Sequence, residues 1–441
     1  MNTTVSPIAH QERYDAIDLL RGVALLGILV MNIQSFAMPM AAYFNPTALG
    51  DKGSVDFYVW AFSHLFFDQK FMTIFSWLFG AGIVLMTARL RGDASASALG
   101  AMADRSAGQG RPGVKPAMFH YRRMLALLVF GLIHAYLIWD GDILVLYSIS
   151  GAIVYPFRKL RPMLLLALGL LSLAIGSSLM IAGGLSIPRG PAEAINEFKA
   201  FWAPTAEQLQ RETLAFQGGW LAQMPERAAH ALEFHLSDIW WWGIWRAAGN
   251  MLIGMALLKW RVVTAELPQN FYRDLAVIGF GFGLPLIFGG VASMAVHDWE
   301  TFYSFFIAGQ FNYWASLLVA SGWLGFTISL WHVGFARGLT ARLIGVGRTA
   351  FSCYILTSLI CTFVFYGHGL GFYGHVSRLG QWGVTIAVWI TLLIVAPLWL
   401  ERFRFGPLEW LWRTLTYGER QPLRRERHSS SDCPQISTGA S

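Results

Sequence analysis

Charge is what this sequence has least of. Asp, Glu, Lys and Arg make up 13% of the 441 residues, about half the share of an ordinary soluble domain, which argues against a string of water-soluble domains. Cysteine is scarce too. Of three, Cys353 and Cys361 share one apolar stretch and Cys433 stands in the tail, so neither a disulfide framework nor a metal-ligand spacing is present. A nucleophile elbow, a phosphate-binding glycine loop and an HExxH run are all missing. No small-residue cleavage site follows the first apolar segment, which is expected to stay as an anchor. The net charge of +7 does not point to nucleic acid, because the basic residues cluster in short connections between apolar spans.

What is present is apolar length. Hydrophobic residues are 55% of the chain, with 19 tryptophans, and the mean hydropathy is +0.46. Repeated apolar runs of about 20 residues predict an all-α, polytopic membrane bundle of about ten transmembrane helices. The spans fall at 19–39, 57–89, 121–139, 142–157, 163–185, 237–258, 275–296, 311–332, 349–367 and 379–400. The second is too long for one upright crossing. A break near Asp68-Gln69-Lys70 would leave Phe57–Phe67 interfacial or re-entrant, with Phe71–Ala88 crossing. With both termini cytoplasmic, most Lys and Arg collect on one side of the membrane.

Four regions follow from this pattern. An N-terminal helical half occupies 1–185, and an extracytoplasmic connecting segment of amphipathic helices occupies 186–236. A C-terminal helical region spans 237–427, and a Ser-rich, disordered tail covers 428–441. The Gly/Ala/Ser-rich connection at 90–120 is expected to be flexible.

Helix one carries the most informative pattern. In RYDAIDLLRGVALLGILVMNIQSF, Asp18, Arg21, Leu25, Ile28 and Asn32 recur at intervals of three and four and share one face. Arg21 and Asn32 lie about 16 Å apart along the axis. Polar groups in hydrocarbon turn toward protein or a wet cavity, so this face should line something internal. Depth counted from the span ends brings Asn32, His134 and His64 to one level of the outer half. Arg246 and Asn250 lie deeper, and Asp140-Gly-Asp142 sits at the outer surface. In a partly dry site a His can act as general base while an Asn or Arg steadies an oxyanion.

Each of these residues also has a structural reading. Asp18 and Arg21 could be an interfacial ion pair, and Asn32 could simply bond a neighbouring helix. His134 could be a satisfied core histidine, and Asp140 and Asp142 could cap helix four. Arg246 could pair with Asp238 two turns earlier.

Several stretches carry a family resemblance. The opening 13–36, KFMTIFSWLFGAGIVLMTAR at 70–89, RRMLALLVFGLIHAYLIWDGDILVLYSISG at 122–151 and GVGRTAFSCYILTSLICTFVFYGHGLGFYG at 345–374 resemble the YeiB-like family of bacterial inner-membrane proteins. RFRFGPLEWLWRTLTYGERQPLR at 402–424 resembles that family's C-terminal region of unknown function. Asp18-Leu-Leu-Arg21-Gly with Asn32 also looks like the first helix of transmembrane acyltransferases such as heparan-alpha-glucosaminide N-acetyltransferase. That likeness implies acyl-CoA as donor from the cytoplasm, no permanently bound cofactor, and acylation of an acceptor on the other face. It implies Asn32 beside the acyl group and Arg21 near the donor's entry. The segment after Asn32 has no histidine for the base, so His134, or else His64, would take that part.

The expectation is therefore a membrane-embedded acyltransferase acting on an envelope glycan or lipid. His134 would be the base, Asn32 and Arg246 would polarise or position, and Asp140 and Asp142 would orient. Asp18, Arg21, Asn250 and Arg348 would serve substrate binding. The alternatives are a proton-coupled small-solute transporter, to which Gly279, Gly281, Gly283 and Pro285 lend support as a helix break, and a non-catalytic membrane scaffold.

Overall fold

A computed structural model describes residues 12–49, 53–91 and 116–425. Most of the connection expected at 90–120, the tail at 428–441 and Cys433 lie outside the described residues. Among those described there is no β-strand, only one isolated bridge between Phe403 and Arg424.

The chain opens with α1 (Glu12–Ala37), a one-turn α2 (Met40–Phe44), α3 (Val55–Phe66) and α4 (Lys70–Arg91). Ser54 caps α3 by accepting the N–H of Phe57 at 3.2 Å, one of the donors every helix start leaves free. The break expected at 68–70 is there. The N–H groups of Phe67 and Asp68 both turn back to the carbonyl of Ser63, and Gln69 adopts a left-handed φ of 66°. By length and composition the two helices together make one apolar span, Val55–Ala88.

Next come α5 (Pro116–Leu137), α6 (Leu144–Val154) and α7 (Pro162–Ser186), followed by α8 (Ala192–Trp202), α9 (Ala206–Gln217) and α10 (Met224–Glu233). The last three are the helices expected in the outer connecting segment. A π-helical stretch, Phe234–Gly243, leads from α10 into α11 (Ile244–Lys259) without an intervening residue. The C-terminal region holds α12 (Gln269–Val296), α13 (Gly309–His332), α14 (Arg337–Arg348), α15 (Ala350–Phe365), α16 (Arg378–Arg402) and α17 (Pro407–Tyr417).

Six spans among the described residues are long and apolar enough to cross a membrane, and a seventh follows if α14 and α15, bent by 89°, count as one. The expected number was about ten. Three of the expected spans are not among these. α6 has 11 residues, about 17 Å and too short for a core of about 30 Å. α11 has 16 and only together with the preceding π-helical stretch is long enough, and α5, 22 residues long, carries His120, Arg122, Arg123 and His134. α12 continues unbroken past Gly279 and Pro285.

α1 is the axle of the bundle. It packs against α4, α14, α15 and α16, and 72% of its most apolar window is buried inside the protein, against 28% for α7 and for α16. The contact with α14 is backbone on backbone. A Cβ at Gly347 would sit 1.7 Å from the Asp18 carbonyl oxygen, and one at Gly22 would sit 2.1 Å from that of Leu343, the close approach small residues permit in membranes. α16 instead turns a row of exposed side chains outward, Ile386, Ile390, Ile394 and Leu398, spaced four apart as a lipid-facing ridge requires.

α17 fastens α15. The Glu409 carboxylate accepts the backbone N–H groups of Phe351 at 2.7 Å and Ser352 at 3.1 Å, as well as the Ser352 hydroxyl. These are free donors in the first turn of α15, where a negative charge also meets the positive end of the helix dipole.

Candidate functional site

α5 ends in the corner Ile138–Ile143, which returns the chain into α6. His134 in the last turn of α5 brings Nδ1 to 2.8 Å from Oδ1 of Asp142. The other oxygen of Asp142 accepts the N–H of Val145 at 2.8 Å. Asp142 thus bonds the imidazole through one oxygen and caps α6 through the other. On the far edge of the ring, Nε2 lies 2.9 Å from Oγ of Ser358 on α15. An ionised carboxylate only accepts, so Nδ1 carries hydrogen toward Asp142. The single Ser358 hydroxyl hydrogen has two acceptors in reach, Nε2 and the Tyr354 carbonyl at 3.3 Å. All three side chains are almost fully buried, and the imidazole packs on Tyr354 at 5.0 Å.

Ser358 faces a pocket on its other side. The walls come from Ile28, Leu29 and Asn32 of α1, Trp139 of the corner, and Tyr354, Thr357 and Ser358 of α15. Its volume is about 10 Å³, the room of roughly one water. Asn32 makes no side-chain hydrogen bond among the described residues, so its amide is available to an occupant. Asn32 and His134 are therefore brought to one place, with Ser358 between the ring and the pocket. The half-buried positions of α1 include Asp18, Arg21, Ile28, Asn32 and Ser35. They mark one strip of intermediate exposure, interrupted at Leu25, which is buried. Arg21 stands near the far end of that strip, paired with Asp18 at 2.9 Å.

The other expected residues go elsewhere. His64 is stacked on Trp60 at 4.8 Å and bonded to Asp68 at 3.0 Å. It does not line the Asn32 pocket, because the turn at 68–70 holds it in a second polar network. In that network Asn312 bridges two buried groups, accepting from Lys70 Nζ at 2.6 Å and donating to Asp68 at 2.8 Å. Arg246 is not paired with Asp238. Its guanidinium donates to the Tyr313 carbonyl at 3.1 Å and the Ser316 hydroxyl at 2.8 Å, and lies over the Tyr313 ring at 4.5 Å. Asn250 is occupied too, accepting from Trp77 at 3.0 Å and donating to the Arg246 carbonyl at 3.0 Å. Arg348 is exposed at the end of α14.

Asp140 belongs to the outer layer. It lies 2.9 Å from Nδ1 of His230 on α10. Burial alone would lower the pKa of His230, but the hydrogen bond and charge of Asp140, with Glu212 and Glu226 nearby, outweigh it and push the imidazole up to about 9. Beside it the buried Arg227 donates to the carbonyls of Leu137, Ile138 and Trp220, tying the end of α5 to the outer helices.

Ser358, Lys70, Asn312, Arg227 and His230 went unremarked as site residues in the sequence. Lys70 had a signal, a charge beside a break in an apolar run. Ser358 had none, since small hydroxyl residues in apolar helices commonly bond their own backbone.

These features define a class: an α-helical, multi-pass membrane protein with a small pocket backed by a hydrogen-bonded Ser358–His134–Asp142 chain. The comparisons narrow it further. Residues 257–419 match the family described as "Protein of unknown function (DUF418)". The chain is 30% identical over 407 residues to "Uncharacterized protein YeiB" of Escherichia coli (strain K12), covering 92% of this chain and 96% of that one. It is 29% identical over 443 aligned positions to "Uncharacterized protein YxaH" of Bacillus subtilis (strain 168), covering 96% and 99%. The chain belongs to the YeiB family. No solved structure matches it.

Proposed function

We propose that this protein is an acyltransferase of the bacterial inner membrane, moving an acyl group from a cytoplasmic acyl-CoA-type thioester to an envelope glycan or lipid. The observation that carries this reading is the meeting of Asn32 with the buried His134 and Asp142 pair. Asn32 lines a pocket together with Ser358, which is bonded to His134, and Arg21 lies on the same face of α1 toward its other end. Arg21 suits the anionic end of a donor, and the roughly 16 Å between it and Asn32 suits an extended arm. The free amide of Asn32 would donate to the oxygen of the acyl carbonyl as charge builds there. His134, oriented by Asp142, would move the proton. Asp140 and the outer helices would shape the side from which the acceptor arrives.

The test is transfer of labelled acetyl groups from acetyl-CoA to an envelope extract by the protein reconstituted in vesicles. Activity should be lost in Asn32→Ala and in His134→Ala, with both variants inserted at wild-type levels. Unchanged transfer by these variants would sink the reading.

A further inference from the structure

We propose that Ser358 is the nucleophile that carries the acyl group between donor and acceptor. The inference rests on the acyl-transfer reading and adds a covalent intermediate to it. Both nitrogens of His134 are engaged, Nδ1 by Asp142 at 2.8 Å and Nε2 by Ser358 at 2.9 Å. The ring does not line the pocket, whereas Ser358 does. Before reaction Ser358 stands between the base and the pocket, so the group this base deprotonates first is the Ser358 hydroxyl. A nucleophile bonded to a base that is itself held by a carboxylate is the arrangement that activates a serine. Asn32, whose amide makes no side-chain hydrogen bond among the described residues, lines the same pocket.

The chemistry balances in two steps. Ser358 Oγ attacks the thioester carbonyl, its proton passes to His134 Nε2, the C–S bond breaks, and the thiolate leaves with that proton as a thiol. In the second step the acceptor's hydroxyl or amine attacks the acyl-serine ester, gives a proton to His134, and Ser358 recovers one as the C–O bond breaks. A pocket of about 10 Å³ holds roughly one water, so the Asn32 and Tyr354 side chains must move apart to admit the acyl carbon.

The first step needs no acceptor, so it can be tested while the acceptor is unidentified. Purified full-length protein in phosphatidylethanolamine and phosphatidylglycerol nanodiscs is mixed with labelled acetyl-CoA, and the chain is digested for mass spectrometry. One acetyl group is expected on the peptide holding Ser358, released by alkaline hydroxylamine as an oxygen ester is. Ser358→Ala should lose the adduct and slow thioester consumption by about 10³-fold or more. Ser358→Cys should accept acetyl as a thioester released by hydroxylamine at neutral pH, a change that a purely structural serine would not produce. Transfer by the wild type with no adduct, or undiminished transfer by Ser358→Ala, would overturn the role of Ser358 and leave acyl transfer standing. No thioester consumption by the wild type, with intact size-exclusion behaviour, would overturn both.

Discussion

Asp140 and Asp142 flank a single glycine, yet their carboxylates serve different layers of the protein. Asp140 bonds His230 of the outer helices at 2.9 Å, and Asp142 bonds His134 inside the bundle at 2.8 Å. One short corner therefore joins the surface layer to the pocket wall.

The outer pair should make stability depend on pH. The His230 pKa is raised from 6.5 to about 9, so its contribution is full below about pH 6.5 and lost as pH rises through about 9. The imidazole side chain is 27% exposed, which holds the expected effect to about 1–2 kcal/mol. Thermal unfolding at pH 6 and pH 9.5 should show the loss in the wild type, and His230→Gln should flatten it. An equal slope in both would count against the pair.

Asp142→Asn should separate fold from chemistry. An asparagine oxygen can still accept the Val145 N–H, so melting should stay near wild type. Its NH₂ then faces Nδ1 and forces the other tautomer, leaving Nε2 unable to accept from Ser358. Consumption of acetyl-CoA should fall on the order of 10³- to 10⁴-fold, measured as thiol release.

Lys70 and Asp68 should behave as a coupled pair, bridged by Asn312. Lys70→Met removes the donor to Asn312 and to the His64 carbonyl, and a positive charge near Asp68, and should cost about 1–3 kcal/mol. The double variant Lys70→Met with Asp68→Asn should recover part of that. Chemical-denaturation curves of all three proteins would show it, and strict additivity would argue against coupling.

Gly347→Ala tests the axle. The added carbon would sit 1.7 Å from a backbone oxygen of α1, so one helix must move. A loss of about 1–3 kcal/mol or more is expected, read as a lower melting temperature in detergent. A variant as stable as wild type would show that α14 is free to shift.

Much of this architecture could be read from the chain. The three-and-four spacing on helix one found the half-buried strip, and the polar triplet at 68–70 marked the break. Depth counting left Asp142 at the outer surface, whereas the corner after α5 turns it inward onto His134 eight residues earlier. Hydropathy failed where length was shared between elements: residues 337–348 form a separate helix against α1, and the run at 142–157 gives only an 11-residue α6. The partners of Lys70 and His134 lie 242 and 224 positions away, and no local pattern encodes such a meeting. Depth also misassigned His64, because equal level in a bundle does not mean a shared wall.

The grip of Glu409 on α15 has a temporal consequence. During synthesis the helix bearing Ser358 emerges well before residue 409, with the amides of its first turn still bare. Its anchoring is completed only when α17 leaves the ribosome and folds back, so a prematurely terminated chain would own the serine without the clamp that fixes its helix.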